Sequence, residues 1–185
     1  MTRDIAEAPA DFRDALMSLR EAPTHPRVTL TEVPAPSRIA PFAAAISGEI
    51  DAPTEASGRF VVLHDPAGQP AWEGTMRVVA LVKAQVEPEV GRDELWGDVA
   101  WSWLEDALAG VPHRARGGTV TKVTSTAYGD LADRPDEVHV EIRVSWTPTT
   151  TDLAPHIAAW TQLMAACAGM PPAPEGVTVL PERNM

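Results

Sequence analysis

The chain has 185 residues, 44% of them hydrophobic, and a formal net charge of −11. That length suits one domain, and that composition suits a globular interior rather than a disordered chain. The acidic balance argues against non-specific nucleic-acid binding and against anionic membrane surfaces, because both need clustered Lys and Arg. The single Cys167 excludes an intramolecular disulfide and a multi-cysteine zinc site.

Residues 1–22 alternate charged and apolar side chains and lack the apolar core of a signal peptide. No window approaches ~20 consecutive apolar residues, so a cytoplasmic location is the expectation. Phe12, Ala15, Leu16 and Leu19 recur at helical spacing and predict a first helix over Asp11 to Ala22, ended by Pro23. A helix of ~12 residues is marginal alone and must dock on something. Short strands are expected over Val28 to Val33 and Phe42 to Ile50, separated by the Pro34-Ala35-Pro36 break.

Arg59 to His64 reads as a strand, Asp65-Pro66-Ala67-Gly68 as a type I turn, and Ala71 to Glu87 as the return strand. A helix over Asp93 to Ala109 follows. Its apolar arc covers about two thirds of the circumference, wider than one sheet contact needs, so it is expected to touch two neighbours, with another chain as a candidate for one of them. His113 to Gly118 reads as a basic loop leading into a strand pair, Thr119 to Tyr128 and Glu137 to Thr147. The last helix spans Leu153 to Ala168, with Asp152 as its cap and Gly169 as its stop. Residues 10–170 are therefore expected to form a single α+β domain between an N-terminal tail (1–9) and a Pro-rich C-terminal tail (171–185). The order α-β-β-β-β-α-β-β-α implies a two-layer sandwich, a mainly antiparallel sheet with helices on one face. That order is similar to the type III secretion chaperone-like fold.

Two stretches echo each other about 60 residues apart, Val86-Glu87-Pro88 with Trp146-Thr147-Pro148 and Trp101 to Pro112 with Trp160 to Pro171. The helix faces do not match: Glu94, Asp98 and Glu105 fall where the later helix is apolar. Whether this is a duplication stays open.

The run from Arg59 to Thr75, with Trp101-Ser102-Trp103-Leu104, Gly117-Gly118-Thr119-Val120-Thr121 and Ser145-Trp146-Thr147-Pro148, resembles the signature of an uncharacterised actinobacterial family, the domain of unknown function 3000 family. The similarity runs from about Phe12 to Pro172. It implies no activity. Its one functional hint is that such proteins are encoded near tetrapyrrole-biosynthesis and ribonuclease D-like genes, an association rather than chemistry.

His64 and Asp65 form the leading acid–base pair, because a neighbouring carboxylate fixes an imidazole tautomer and raises its basicity. Trp72, Glu73 and Arg77 on the return strand could face that pair. The competing reading makes Asp65 a turn residue and His64 a strand end whose neighbour points to the opposite face; it is preferred. His156 and Cys167 lie eleven helical residues apart, about 16 Å, and cannot share a metal. His156 or Met164 alone as a haem ligand is weighed against a half-buried, satisfied histidine, which is preferred. His139 and Glu141 share a strand face without a third ligand. Arg114 and Arg116 are read as a solvent loop, and Cys167 as an inert core thiol. No Gly-rich phosphate loop is present.

Six Trp stand against one Tyr and three Phe. Core packing accounts for Trp96 and Trp103, which share one helix side, whereas Trp101 lies at the rim of the arc and is the candidate interface residue. The sequence thus implies a non-enzymatic binding or adaptor protein, chaperone-like and homodimeric, with a protein partner or self-association and neither nucleic acid nor membrane. The alternative is a small-molecule protein or enzyme, tetrapyrrole-linked by the resemblance, using His64, Asp65, Trp72 and Glu73. No catalytic residue, metal or cofactor is assigned.

Overall fold

A computed structural model of the protein describes residues 7–51, 54–91 and 93–170. The C-terminal tail expected over 171–185 lies outside the described residues, as do residues 1–6 of the N-terminal one. The elements run α1 (Ala10–Arg20), β1 (Thr29–Val33), β2 (Phe42–Ile50), β3 (Ala56–Gln69), β4 (Gly74–Val86), one-turn α2 (Pro88–Gly91), α3 (Trp96–Ala107), β5 (His113–Ser125), β6 (Glu137–Pro148) and α4 (Ala154–Cys167). The six strands form one antiparallel sheet in the order β1-β2-β3-β4-β6-β5. This is the α+β sandwich that the element order implies.

Period-two alternation decides which face is buried. On β4, Met76, Val78, Ala80, Val82 and Ala84 are buried while Thr75, Val79, Lys83 and Gln85 are exposed. Val138, Val140, Ile142, Val144 and Trp146 do the same on β6 and meet the helices in one core. α4 lies over this face, and a pair of glycines sets how closely. Gly48 and Gly58 are register partners, and a Cβ at either would come within 2.8 Å of the Trp160 ring. The indole fills the slot they leave, and its Nε1–H donates to the Leu81 carbonyl at 3.1 Å.

α1 docks at the sheet end nearest β1. Its Ser18 Oγ accepts the Leu153 N–H at 2.8 Å and donates to the Ala15 carbonyl at 2.7 Å, tying the helix to the start of α4. α3 packs between α4 and β5, the two neighbours its wide arc requires. Its start is later than the spacing predicts, because the Asp93 carboxylate accepts the Leu95 N–H at 2.9 Å and holds a turn there.

Two expectations are corrected. The chain does not reverse at Asp65-Pro66-Ala67-Gly68. There the Asp65 carboxylate satisfies the Ala67 N–H at 3.1 Å, Gly68 takes φ +73°, and the register shifts as in a bulge while β3 continues to Gln69. The reversal comes at Pro70–Trp72, with Glu73 in the left-handed region at φ 55°. His113 to Gly118 is not a loop either. It is the first half of β5, paired with β6 across an irregularity at Ala115, whose φ is 51°.

Candidate functional site

The residues singled out around the hairpin do not converge. His64 lies opposite Met76 on the helix-covered face and is only 2% exposed. Its ring stacks on Phe12 (centroids 5.8 Å apart, planes at 16°) and leans on Phe42. Nδ1 has no hydrogen-bond partner. Burial lowers the His64 pKa, against the opposing pull of the Asp11 charge, the Thr75 backbone and Asp65. Asp65 is occupied in the bulge, where it also accepts from Gln69 Nε2 at 3.2 Å.

Trp72 and Arg77 belong to the other side of the sheet. Trp72 packs with Ala45, Val61 and Leu63 in a second apolar cluster on the face away from the helices. Arg77 Nη1 donates to the Ala115 carbonyl at 2.8 Å and to Thr147 Oγ1 at 3.0 Å, and Nη2 donates to Ser145 Oγ at 2.8 Å. Thr147 Oγ1 in turn donates to the Trp72 carbonyl. Arg77 and Thr147 therefore clamp β4, β5 and β6 where the β5 ladder is irregular. Burial lowers the Arg77 pKa, offset by Glu73, which is itself exposed. A sheet separates the imidazole from the guanidinium. That arrangement cannot relay a proton.

Trp101 is half-buried on the α3 flank facing β5, with the Arg116 guanidinium 5.6 Å from its ring centroid. Arg116 also pairs with Glu105 at 2.6 Å. Trp96 is buried and meets half-buried Trp103 edge-on at 5.9 Å. His156 is fully buried rather than half-buried. Its Nδ1 accepts the Trp146 indole N–H at 2.9 Å, which fixes the proton on Nε2, and Nε2 has no partner. Burial first, then the charge of His113, lowers its pKa to about 4 against the pull of Asp152. Burial pushes the Cys167 thiol up to about 12. Among the described residues no group of three His, Cys, Asp or Glu side chains could hold a metal ion, and no helix is long and apolar enough to cross a membrane.

What the structure does bring together lies beside α1. A cavity of about 800 Å³ opens between α1, β1 and the 34–41 connection. Phe12, Leu16 and Leu19 form its helix wall, Phe42, Ala44, Ile46, Phe60 and Val62 its sheet wall, and Ala35, Pro36, Ala40 and Pro41 its outer lip. Its room comes from a small residue. Ala44 puts a short side chain on the face of β2 that α1 covers, between Phe42 and Ile46, while Ala43 and Ala45 belong to the opposite face, so the space beneath the helix beside Phe12 is left unfilled. Polar groups are confined to Arg20, Thr31, Glu32 and Ser37. His64 sits behind Phe12 and Phe42, sealed from the cavity by both rings. Helical spacing marks Phe12, Leu16 and Leu19 only as an apolar face and Pro34-Ala35-Pro36 only as a break. The signal for the cavity is the small Ala44 on the helix-facing side of β2 together with a 34–41 connection too long for a tight turn.

The family model described as Protein of unknown function (DUF3000) matches residues 8–178, and the chain belongs to that family. No curated protein and no solved structure matches it.

Proposed function

We propose that this family member is a non-catalytic binding protein that holds a small amphipathic molecule in the cleft beside α1. The observation that carries this reading is the cavity itself, about 800 Å³ with apolar walls and its few polar groups gathered among the lining residues. Cofactor and ligand sites have this size and this division of chemistry. An apolar body would bury against Leu16, Leu19, Ile46 and Val62, and a polar end would meet Arg20, Glu32, Thr31 or Ser37. The dispersal of His64, Asp65 and Arg77 favours binding over catalysis, since acid–base work needs groups within hydrogen-bond reach of one proton.

A flat tetrapyrrole is the candidate that the family resemblance suggests, and the apolar walls suit such a body. It would bind without an axial histidine, because His64 is closed off by Phe12 and Phe42 and His156 is buried under α4. The test is fluorescence titration with protoporphyrin and, separately, with an anilinonaphthalene sulfonate. At least one probe is expected to bind saturably at one per chain. An Ala44→Phe variant, which fills the cavity, is expected to weaken that binding at least tenfold while its circular dichroism stays unchanged. Saturable binding that Ala44→Phe leaves intact, or no binding of either probe, contradicts the reading.

A further inference from the structure

We infer that β5 is the seam of a homodimer, two copies pairing β5 to β5, antiparallel, about a two-fold axis near Thr121. β5 is an edge strand 13 residues long, and among the described residues nothing pairs with its outer side. An open strand edge presents a row of unpaired N–H and C=O groups, and proteins that leave one open commonly blunt it with proline, charge or brevity. Between Gly117 and Ser125, β5 has no proline and one charge, Lys122, and it is rich in Thr and Val. Every side chain in that stretch except Val120 is exposed. Exposed large apolar residues gather at the same end: Val123 (52%), Tyr128 (80%) and Leu131 (48%).

Charge selects a second copy as the occupant, and selects its direction. β5 carries no acidic residue, and its start is basic, with Arg114 and Arg116. The segment that follows it is acidic, with Asp130, Asp133 and Asp136 against Arg134, before Glu137 opens β6. Antiparallel pairing about Thr121 sets Thr119 opposite Val123 and Arg114 opposite Tyr128, beside the second copy's acidic turn. The two-fold repeats that match at the other end of the seam. Parallel pairing would set basic start on basic start. A two-fold contact of one patch with itself closes, giving a dimer rather than a fibre. Arg116 is held by Glu105 on α3, and Arg114, exposed but with its guanidinium lying back toward Gly74 of β4, would swing outward to meet the turn. The cleft lies at the opposite edge of the sheet, so this inference does not rest on ligand binding there.

The experiment is light scattering after size exclusion, from micromolar protein to about 100 μM, where a complex of micromolar affinity is almost fully formed. The wild type is expected to reach twice the 19.8 kDa chain mass. Thr121→Lys sets two ammonium groups against each other at the axis, and should return the monomer with unchanged circular dichroism, since residue 121 is exposed and lies opposite Glu141. Thr31→Lys on the β1 edge should leave the dimer intact. Thr121→Cys should cross-link two chains under mild oxidation, with buried Cys167 as bystander. A monomer at 100 μM, a dimer indifferent to Thr121→Lys, a dimer broken by Thr31→Lys, or a Thr121→Cys dimer that does not cross-link overturns the inference.

Discussion

β1 is five residues long, is bracketed by Pro26 and Pro34, and has α1 and the 34–41 connection folded around it. β5 is thirteen residues long, without proline, and α3 covers only its helix-facing side. Both are edges of the same sheet, yet one is short, flanked by proline and borders a cavity, while the other is long, free of proline and self-complementary in charge. A short edge flanked by proline resists pairing with another strand, and a long one without proline invites it. The two proposed activities therefore sit at opposite ends of one sheet and can be broken separately.

Trp160→Ala should do the most damage, and on the β1–β2 side. The indole fills the slot above Gly48 and Gly58 and is 1% exposed. Its loss should cost about 3–5 kcal/mol in urea unfolding, as for a buried aromatic cut to alanine. The cleft should lose its sheet wall with it. A cost under ~1 kcal/mol would mean that the slot does not hold that half together.

Acid should come second, acting at the other side. His156 has a folded pKa near 4 against 6.5 in the unfolded chain, so the unfolded state binds more protons between those values. Stability is therefore full above about pH 6.5 and falls as pH drops toward 4, by about 3 kcal/mol. His64, lowered in the same direction, adds to the loss. Urea unfolding at pH 7.5 and pH 5 reads it. A His156→Phe variant should start less stable, because the Trp146 N–H loses its acceptor, but should show a flatter dependence on pH.

Thr147→Val removes the hydroxyl that joins Arg77 to the Trp72 carbonyl. About 1–2 kcal/mol should be lost, with faster amide exchange around Ala115. The smallest effects belong to the edges themselves. Thr31→Lys and Thr121→Lys, both at exposed positions, should each stay within ~0.5 kcal/mol of wild type in monomer stability. A larger loss from either would show that its edge carries structural weight in the monomer.

The strands were legible wherever one face is buried. β4 and β6 alternate over their whole lengths, and that pattern is enough to place them. The hairpin turn was not, because Asp65-Pro66-Ala67-Gly68 satisfies turn chemistry locally while the strand resumes only through the pairing of Gln69 with Gly74. The first half of β5 was missed for a related reason: Arg114 to Gly118 has no alternation, and only β6 makes it a strand. At the candidate site, His64 next to Asp65 suggested a pair, but a sheet separates neighbours onto opposite faces. The cleft was hidden because a small residue creates it by what it leaves empty, and sequence patterns register what is present. Trp101 is half-buried and packs against the same core as Trp103, so the contrast drawn between them on the helix does not hold, and its cover, Arg116, comes from β5 and cannot be read from the helix.

Native-state hydrogen exchange on the two edges tests the contrast most directly. In wild-type protein taken from micromolar concentration to about 100 μM, the outward amides of Gly117 to Ser125 should become slower to exchange, while those of Thr29 to Val33 stay constant. Exchange in β5 that does not change with concentration, or protection that rises at β1 instead, would contradict the assignment of the two edges.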